Sequence, residues 1–327
     1  MIIPIVGPSA LEFWLSGVAD SSAHLLAVKK KRVSLPDDYD LSHWKKHYQI
    51  LSTELGLSFP VHAMANRISD RGSGSFLHAC VKSKHLPEQA FIQLNNSIYI
   101  SSPELCFVQM AEILPFAKLV EIANNLCAIY SIDQQASYGL PEREQIISIA
   151  DITDFLQRAK GLYGIKKARR AILYATERSR SPVESQMAAL AVIPFSQGGF
   201  CFPRPEMNLD ISLTDHAAML FKRDSCNCDM VWMNQKVVVE YDSNLSHLTA
   251  DQHAYDKGKA NALHMSGYKT FFATQRNIQS FKDIEEMFRT IREMLGLRPE
   301  NETLAKYEAI RRETVHTIMY DSWKKYI

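Results

Sequence analysis

Val237 to Ser243 reads VVVEYDS. Three β-branched residues in a row predict a buried strand, and two acids one residue apart, Glu240 and Asp242, stand at its end. Successive strand side chains point to opposite faces, so Val238, Glu240 and Asp242 share one face while Val237, Val239 and Tyr241 share the other. Eleven positions before Glu240, the run CDMVW carries a third acid, Asp229, with a turn around Asn234 and Gln235 between them. A hairpin sets Asp229 beside Glu240. Three carboxylates at one end of a sheet repel unless a cation lies among them or some take up protons. Mg2+ or Mn2+ suits such oxygen ligands and neutralises charge on a transferring phosphoryl group, which is the chemistry of phosphodiester hydrolysis. The spacing alone fits a solvated strand end equally, because E-x-D is common in strands.

Other side chains join these acids, each with a plainer alternative. Glu184 lies three residues past Ser181 in SPVES, with Pro182 at the first helical position. That is a capping box, in which Glu184 reaches back to the Ser181 backbone, and an acid near a metal is the rival role. Asp242 either assists as a ligand or starts the turn into SNLSH. His247, just past the strand, is either a general base or phosphate contact, or an exposed loop histidine. On the next helix Gln252, Asp256, Lys259 and Leu263 share one face, which turns Lys259 toward the sheet. There it either substitutes, reaching from the helix, for the lysine that the strand lacks, or pairs with Asp256. Tyr268, Phe271 and Phe272 read as core, and Trp232 faces away from Asp229.

The order of elements needed to position these groups is an α/β arrangement. FPVHAMA and AFIQLNNSIYISSPELCFVQMAEIL read as strands leading into a helix that starts at Ser102-Pro103-Glu104, and PFAKLVEIANNLCAIYSI as a further helix. Asp133 to Glu144, polar and broken by Gly139 and Pro141, reads as a linker. Two helices separated near Gly161 and Gly164 follow. After Gly198-Gly199 come three segments resembling an antiparallel meander, FCFPRPEMNLDISLTD, HAAMLFKRDSCNCDMVWM and KVVVEYDS, then a polar helix, the strand YKTFFAT and closing helices. The expected organisation is an α+β N-terminal domain over 1–140 for recognition or partner binding, a helical connector over 141–180, and a mixed sheet flanked by helices over 181–327.

Composition narrows the classes. The chain has 327 residues, 46% hydrophobic and 22% charged, and no run approaches the roughly 18 apolar residues that span a bilayer. The start MIIPIVGPSALEFW lacks the basic region of a secretory signal, so a soluble cytoplasmic protein with no membrane partner is expected. Six scattered cysteines, including the pair Cys226 and Cys228, fit reduced thiols better than disulfides or a zinc site. The formal charge of +1 gives no global attraction to nucleic acid. Any such binding rests on local groups such as Lys29 to Arg32 and Lys166 to Arg170, each also readable as a solvated face. No nucleotide-binding loop is present.

The runs SPVES, DMVWMNQKVVVEYDSNLSH and DKGKANALHMSGYKTFFAT together resemble the very-short-patch-repair-like branch of the PD-(D/E)XK nuclease superfamily, over roughly Ser181 to Thr274. The matching positions are Ser181, Pro182 and Glu184; Asp229; Glu240 and Asp242; His247; and Asp256, Lys259, Leu263, Gly267 and Tyr268. The resemblance implies a restriction-endonuclease-like fold and a Mg2+- or Mn2+-dependent endonuclease acting on DNA, in phage defence or a toxin-like role. It implies Asp229, Glu240 and Asp242 as metal ligands, with Glu184, His247 and Lys259 in the catalytic set. Asp242 stands where the wider superfamily has a lysine that orients or activates the attacking water. Lys259 replaces the branch's arginine, keeping charge but losing the planar fork, and Ser243 replaces a glycine. The stretch from Phe59 through Ser101, Ser102 and Pro103 to Leu114 is similar in layout to the region preceding such domains in phage-defence and AbiEi-type antitoxin-like proteins. The alternative function is a catalytically inactive nuclease-fold protein acting as a nucleic-acid-binding or regulatory, antitoxin-like module.

Overall fold

A computed structural model of the chain describes all residues except 1, 21–31, 37, 40, 42, 82–85, 133–139, 243–249 and 299–306, and leaves the side chains of 20 and 250–253 undescribed. The chain divides into two compact units, Met1–Ala175 with Ser322–Ile327, and Thr176–Asp321. Both are mixed α/β. Among the described residues no helix is long and apolar enough to cross a membrane.

Among its described residues the first unit holds seven strands: β1 (Ile3–Ile5), β2 (Arg32–Val33), β3 (Val61–Ala65), β4 (Gly72–Ser73), β5 (Leu77–Val81), β6 (Phe91–Gln93) and β7 (Ile98–Ser101). They form one sheet in the order β2-β6-β7-β1-β3-β5-β4, with β1 parallel to β7 and β3 parallel to β5. Its helices are α1 (Gly7–Leu15), α2 (Pro103–Ile113), α3 (Phe116–Leu126), α4 (Ile149–Arg158) and α5 (Ile165–Ala171). Helix α2 starts as its sequence predicts, with Ser102 Oγ accepting from the Leu105 N–H and Pro103 in the first turn. Helices α4 and α5, expected as a connector, belong to this unit instead. Ile152, Phe155 and Leu156 of α4 are buried, and Gly164, at φ 74, brings the start of α5 so close to α2 that a Cβ there would lie 2.6 Å from Val108 O. An amphipathic helix must bury its apolar stripe, and these bury theirs against α2 and α3. Ser322–Ile327 returns to the same unit, where Lys324 Nζ lies 3.3 Å from Ser58 Oγ and forms an ion pair with Glu12.

The second unit contains β8 (Glu206–Ser212), β9 (Ser225–Trp232), β10 (Val237–Asp242) and β11 (Lys269–Thr274), with α6 (Pro182–Val192), α7 (Asp215–Phe221), α8 (Ala250–Met265), α9 (Phe281–Met294) and α10 (Glu308–Met319). The sheet order is β11-β10-β9-β8. Strands β8, β9 and β10 form the expected antiparallel meander, and β11 pairs parallel to β10 after the α8 crossover. One departure is α7, where HAAMLF is helical rather than extended. Val237, Val238 and Val239 are fully buried, and one face of the sheet packs Ile211, Cys226, Cys228, Val231, Val238, Leu263 and Tyr268 together. Trp232 turns the other way, toward Phe202, and Phe200 stacks on Phe288 at 4.1 Å. Tyr268 is core, but Phe272 is 44% exposed, because β11 is an edge strand. All six cysteines are free.

Candidate functional site at the end of the four-stranded sheet

The start of α6 is built by its own sequence. Ser181 Oγ accepts from the Glu184 N–H at 3.2 Å and lies 3.0 Å from Glu184 Oε1. The Glu184 carboxylate reaches back one residue further than the capping box predicts, accepting the Arg180 N–H at 2.8 Å rather than that of Ser181. It also accepts from Asn208 Nδ2 at 2.9 Å. Burial, and then the Asp229 carboxylate, push the Glu184 carboxyl up to about 7. Capping and membership of the acid cluster therefore coexist in this residue.

Asp229 reaches the cluster through an irregular strand. The β9–β10 ladder pairs Val237 with Trp232, Val238 with Val231 and Val239 with Met230, so Glu240 stands next to Asp229. On the other side Met207 pairs with Met230 and Leu209 with Cys228, which sets Asn208 opposite Asp229. Asn208 has φ 49, the left-handed region that asparagine tolerates better than most residues. Cys226, Cys228 and Val231 all pack in one cluster although the alternation of a regular strand would separate them. The alternation thus slips by one residue around Asp229 while the β8–β9 register stays the same on either side of it, with the left-handed Asn208 standing opposite. Asp229 Oδ2 accepts the Tyr241 N–H at 2.8 Å, so the carboxylate occupies the place of a main-chain partner. Burial raises the Asp229 carboxyl, opposed by the Tyr241 N–H, Lys259 and Arg180.

Glu240 is 8% exposed. Burial, and then Asp229, push its carboxyl up to about 7, while Lys259 pulls it down. Lys259 Nζ on α8 lies 2.8 Å from Glu240 Oε1. Burial works to lower the Lys259 ammonium, and Glu240 beside it overrides this, holding it above its ordinary value. The ion pair seen for Lys259 is thus with the strand acid rather than with Asp256 of its own helix. Cys228 on the neighbouring strand also acts to lower the Glu240 carboxyl, while its thiol donates to Cys226 O at 3.8 Å. Asp242 closes β10, half-buried and paired with Thr274. His247 lies outside the described residues. The structure therefore brings together Glu184, Asp229, Glu240 and Lys259, and adds three residues that sequence reasoning missed: Asn208, Arg180 and Cys228. Arg180, directly before the helix cap, had a positional signal, and Asn208 had none beyond an asparagine inside a strand.

Among the described residues no group of three or more His, Cys, Asp or Glu is arranged to hold a metal ion. The basic run at Lys166 to Arg170 is partly spent on structure. Arg169 donates to Leu156 O and Ala159 O, and Lys167 to Leu114 O, neutralising carbonyls at the C-terminal ends of α4 and α2. Scans against protein-family models, curated proteins and solved structures returned no match.

Proposed function

We propose that Thr176–Asp321 is a restriction-endonuclease-like domain that hydrolyses DNA phosphodiester bonds with Mg2+ or Mn2+, in defence against foreign DNA or in a toxin-like role. The observation that carries this reading is the gathering of Glu184, Asp229 and Glu240 from a helix and two adjacent strands, with Lys259 Nζ 2.8 Å from Glu240. Raised carboxyl values caused by burial and mutual repulsion are what an acid site displays when its counter-charge is incomplete. A metal bound through one or two carboxylates, and completed by water and a substrate phosphate, is the usual Mg2+ arrangement, and the pair Asp229 and Glu240 fits it. Asp242 is the third ligand in this reading. The ion, when bound, neutralises charge developing on the transferring phosphoryl group.

The side chains divide the remaining work. Lys259 takes the role of the absent strand lysine, its ammonium orienting the attacking water while Glu240 holds the ammonium in place. Glu184, with a carboxyl near 7, holds a proton in part of the population at neutral pH and fixes the α6 start against Asn208. His247 is assigned to the attacking water or the scissile phosphate. The first unit is assigned to recognition of substrate or of a protein partner.

A second reading has its own observation. Every cluster carboxylate already has a protein partner: Glu184 the Arg180 N–H, Asp229 the Tyr241 N–H, and Glu240 the Lys259 ammonium. A nuclease-fold protein that binds nucleic acid or regulates without cutting would hold its acids this way. Incubating the full chain with plasmid and Mg2+ or Mn2+, beside Asp229→Ala and Glu240→Ala, separates the two. Cleavage by wild type and loss in both variants is expected. Binding without cleavage under either metal establishes the inactive reading, and equal cleavage by the variants moves the site elsewhere.

A further inference from the structure

Two cations act on Asp229, and they differ in accessibility. Lys259 is committed to Glu240, with its side chain only 14% exposed. Arg180 is exposed and sits at the entrance to α6, directly before the Ser181 cap. Both ends of this arginine are anchored. Its main-chain N–H donates to Glu184 Oε2 at 2.8 Å, and its Nη1 donates to Asn227 Oδ1 at 2.7 Å. Asn227 is itself oriented, because its Nδ2 donates to Asn208 O at 3.1 Å and to Asp210 Oδ1 at 3.1 Å. With its amide nitrogen facing two oxygens, Asn227 can only present its carbonyl to the guanidinium.

The chain as a whole carries a formal charge of +1, so a polyanion gains nothing from the global field and meets a cluster of acids at this site. Binding a phosphate there requires a local, accessible, oriented cation. A guanidinium suits a phosphate better than an ammonium because its planar array of donors matches two phosphate oxygens at once. We infer that Arg180 is the phosphate-binding residue of this site, taking a backbone phosphodiester of the nucleic acid and holding it over the Asp229 and Glu240 carboxylates. This rests on the nuclease reading above for the identity of the ligand. Asn227, which touches no substrate here, is the positioning residue that aims it.

The test uses the full chain and a labelled DNA duplex in EDTA, with anisotropy measured over a series of KCl concentrations for wild type, Arg180→Ala and Arg180→Lys. Each phosphate contact contributes about 0.9 to the slope of log K against log salt. Arg180→Ala is expected to lower that slope by about 0.9 and weaken binding several-fold, with Arg180→Lys keeping the slope. Single-turnover cleavage with Mg2+ is expected to fall by about 10- to 100-fold in Arg180→Ala, with only partial recovery in Arg180→Lys, because an ammonium lacks the fork. A purely structural arginine would lower the melting temperature and leave the salt slope alone. An unchanged slope in Arg180→Ala overturns the assignment. Wild type that binds but does not cut defeats the nuclease reading while the slope still decides Arg180, and wild type that binds no DNA defeats both.

Discussion

Replacing Lys259 by methionine removes the ammonium that Glu240 meets at 2.8 Å and keeps most of the apolar stem. The size of the effect follows from what Glu240 can do in response. Its carboxyl ordinarily titrates at 4.5, and in the folded chain at about 7 with Lys259 present. Without Lys259 it titrates higher still, because the main group opposing burial and Asp229 is gone. Below about pH 7 Glu240 is protonated in both proteins, and losing the lysine costs little there. Above about pH 7 wild type ionises Glu240 against Lys259, whereas the variant must keep the carboxyl protonated or bury a bare charge. Keeping it protonated costs about 1.4 kcal/mol for each pH unit above 7, so the variant loses about 2 kcal/mol near pH 8.5. That lies below the roughly 3–5 kcal/mol expected for a buried charge stripped of its partner, because protonation offers an escape. Urea unfolding at about pH 5.5, 7 and 8.5 measures the difference, and hydrogen exchange of the Val237–Tyr241 amides assigns it to the second unit. A difference independent of pH, or one greatest in acid, would refute the reasoning.

Both Glu184 and Glu240 titrate near 7 in the folded chain against 4.5 ordinarily, so their shared contribution is fully present below about pH 4.5 and is lost as pH rises through about 7. Each accounts for up to about 3 kcal/mol, and the pair for less than twice that because both respond to Asp229; the slope of stability against pH in wild type and Glu240→Gln measures it. Glu184→Gln is expected to leave stability near wild type in mild acid and to raise it near pH 8, where it removes a buried charge; equal effects at both values would count against the burial argument. Ser181→Ala removes the acceptor for the Glu184 N–H and is expected to cost about 1 kcal/mol, read from thermal unfolding. Gly199→Ala would set a Cβ 2.1 Å from Ile193 O, so a loss of more than about 3 kcal/mol is expected in the same measurement.

Much of the second unit was legible in the chain because its local signals agree with one another. Three valines mark β10, Ser181-Pro182 marks the start of α6, and helical spacing turned Lys259 toward the sheet. The partner of Lys259 was not legible, since Glu240 reaches it only through the parallel return of β11 beside β10. HAAMLF satisfies both strand and helix periodicities over so few residues that α7 was read as extended. The slip at Asp229 left no mark, because SCNCDMVW contains neither glycine nor proline, and the compensating left-handed residue, Asn208, belongs to a different strand. The helices of 141–180 were recognised as helices, but a pattern of apolar spacing states that a face must be covered without stating by what.

The return of Ser322–Ile327 to the first unit makes Thr176–Asp321 an insertion within another folding body. On a ribosome the chain emerges from its N-terminus, so the whole second unit is synthesised before Lys324 exists to meet Glu12 and Ser58. The first unit therefore finishes last although it begins first. A chain cut short anywhere within Thr176–Asp321 would leave both units incomplete, which couples the quality of one to the completion of the other without any ligand.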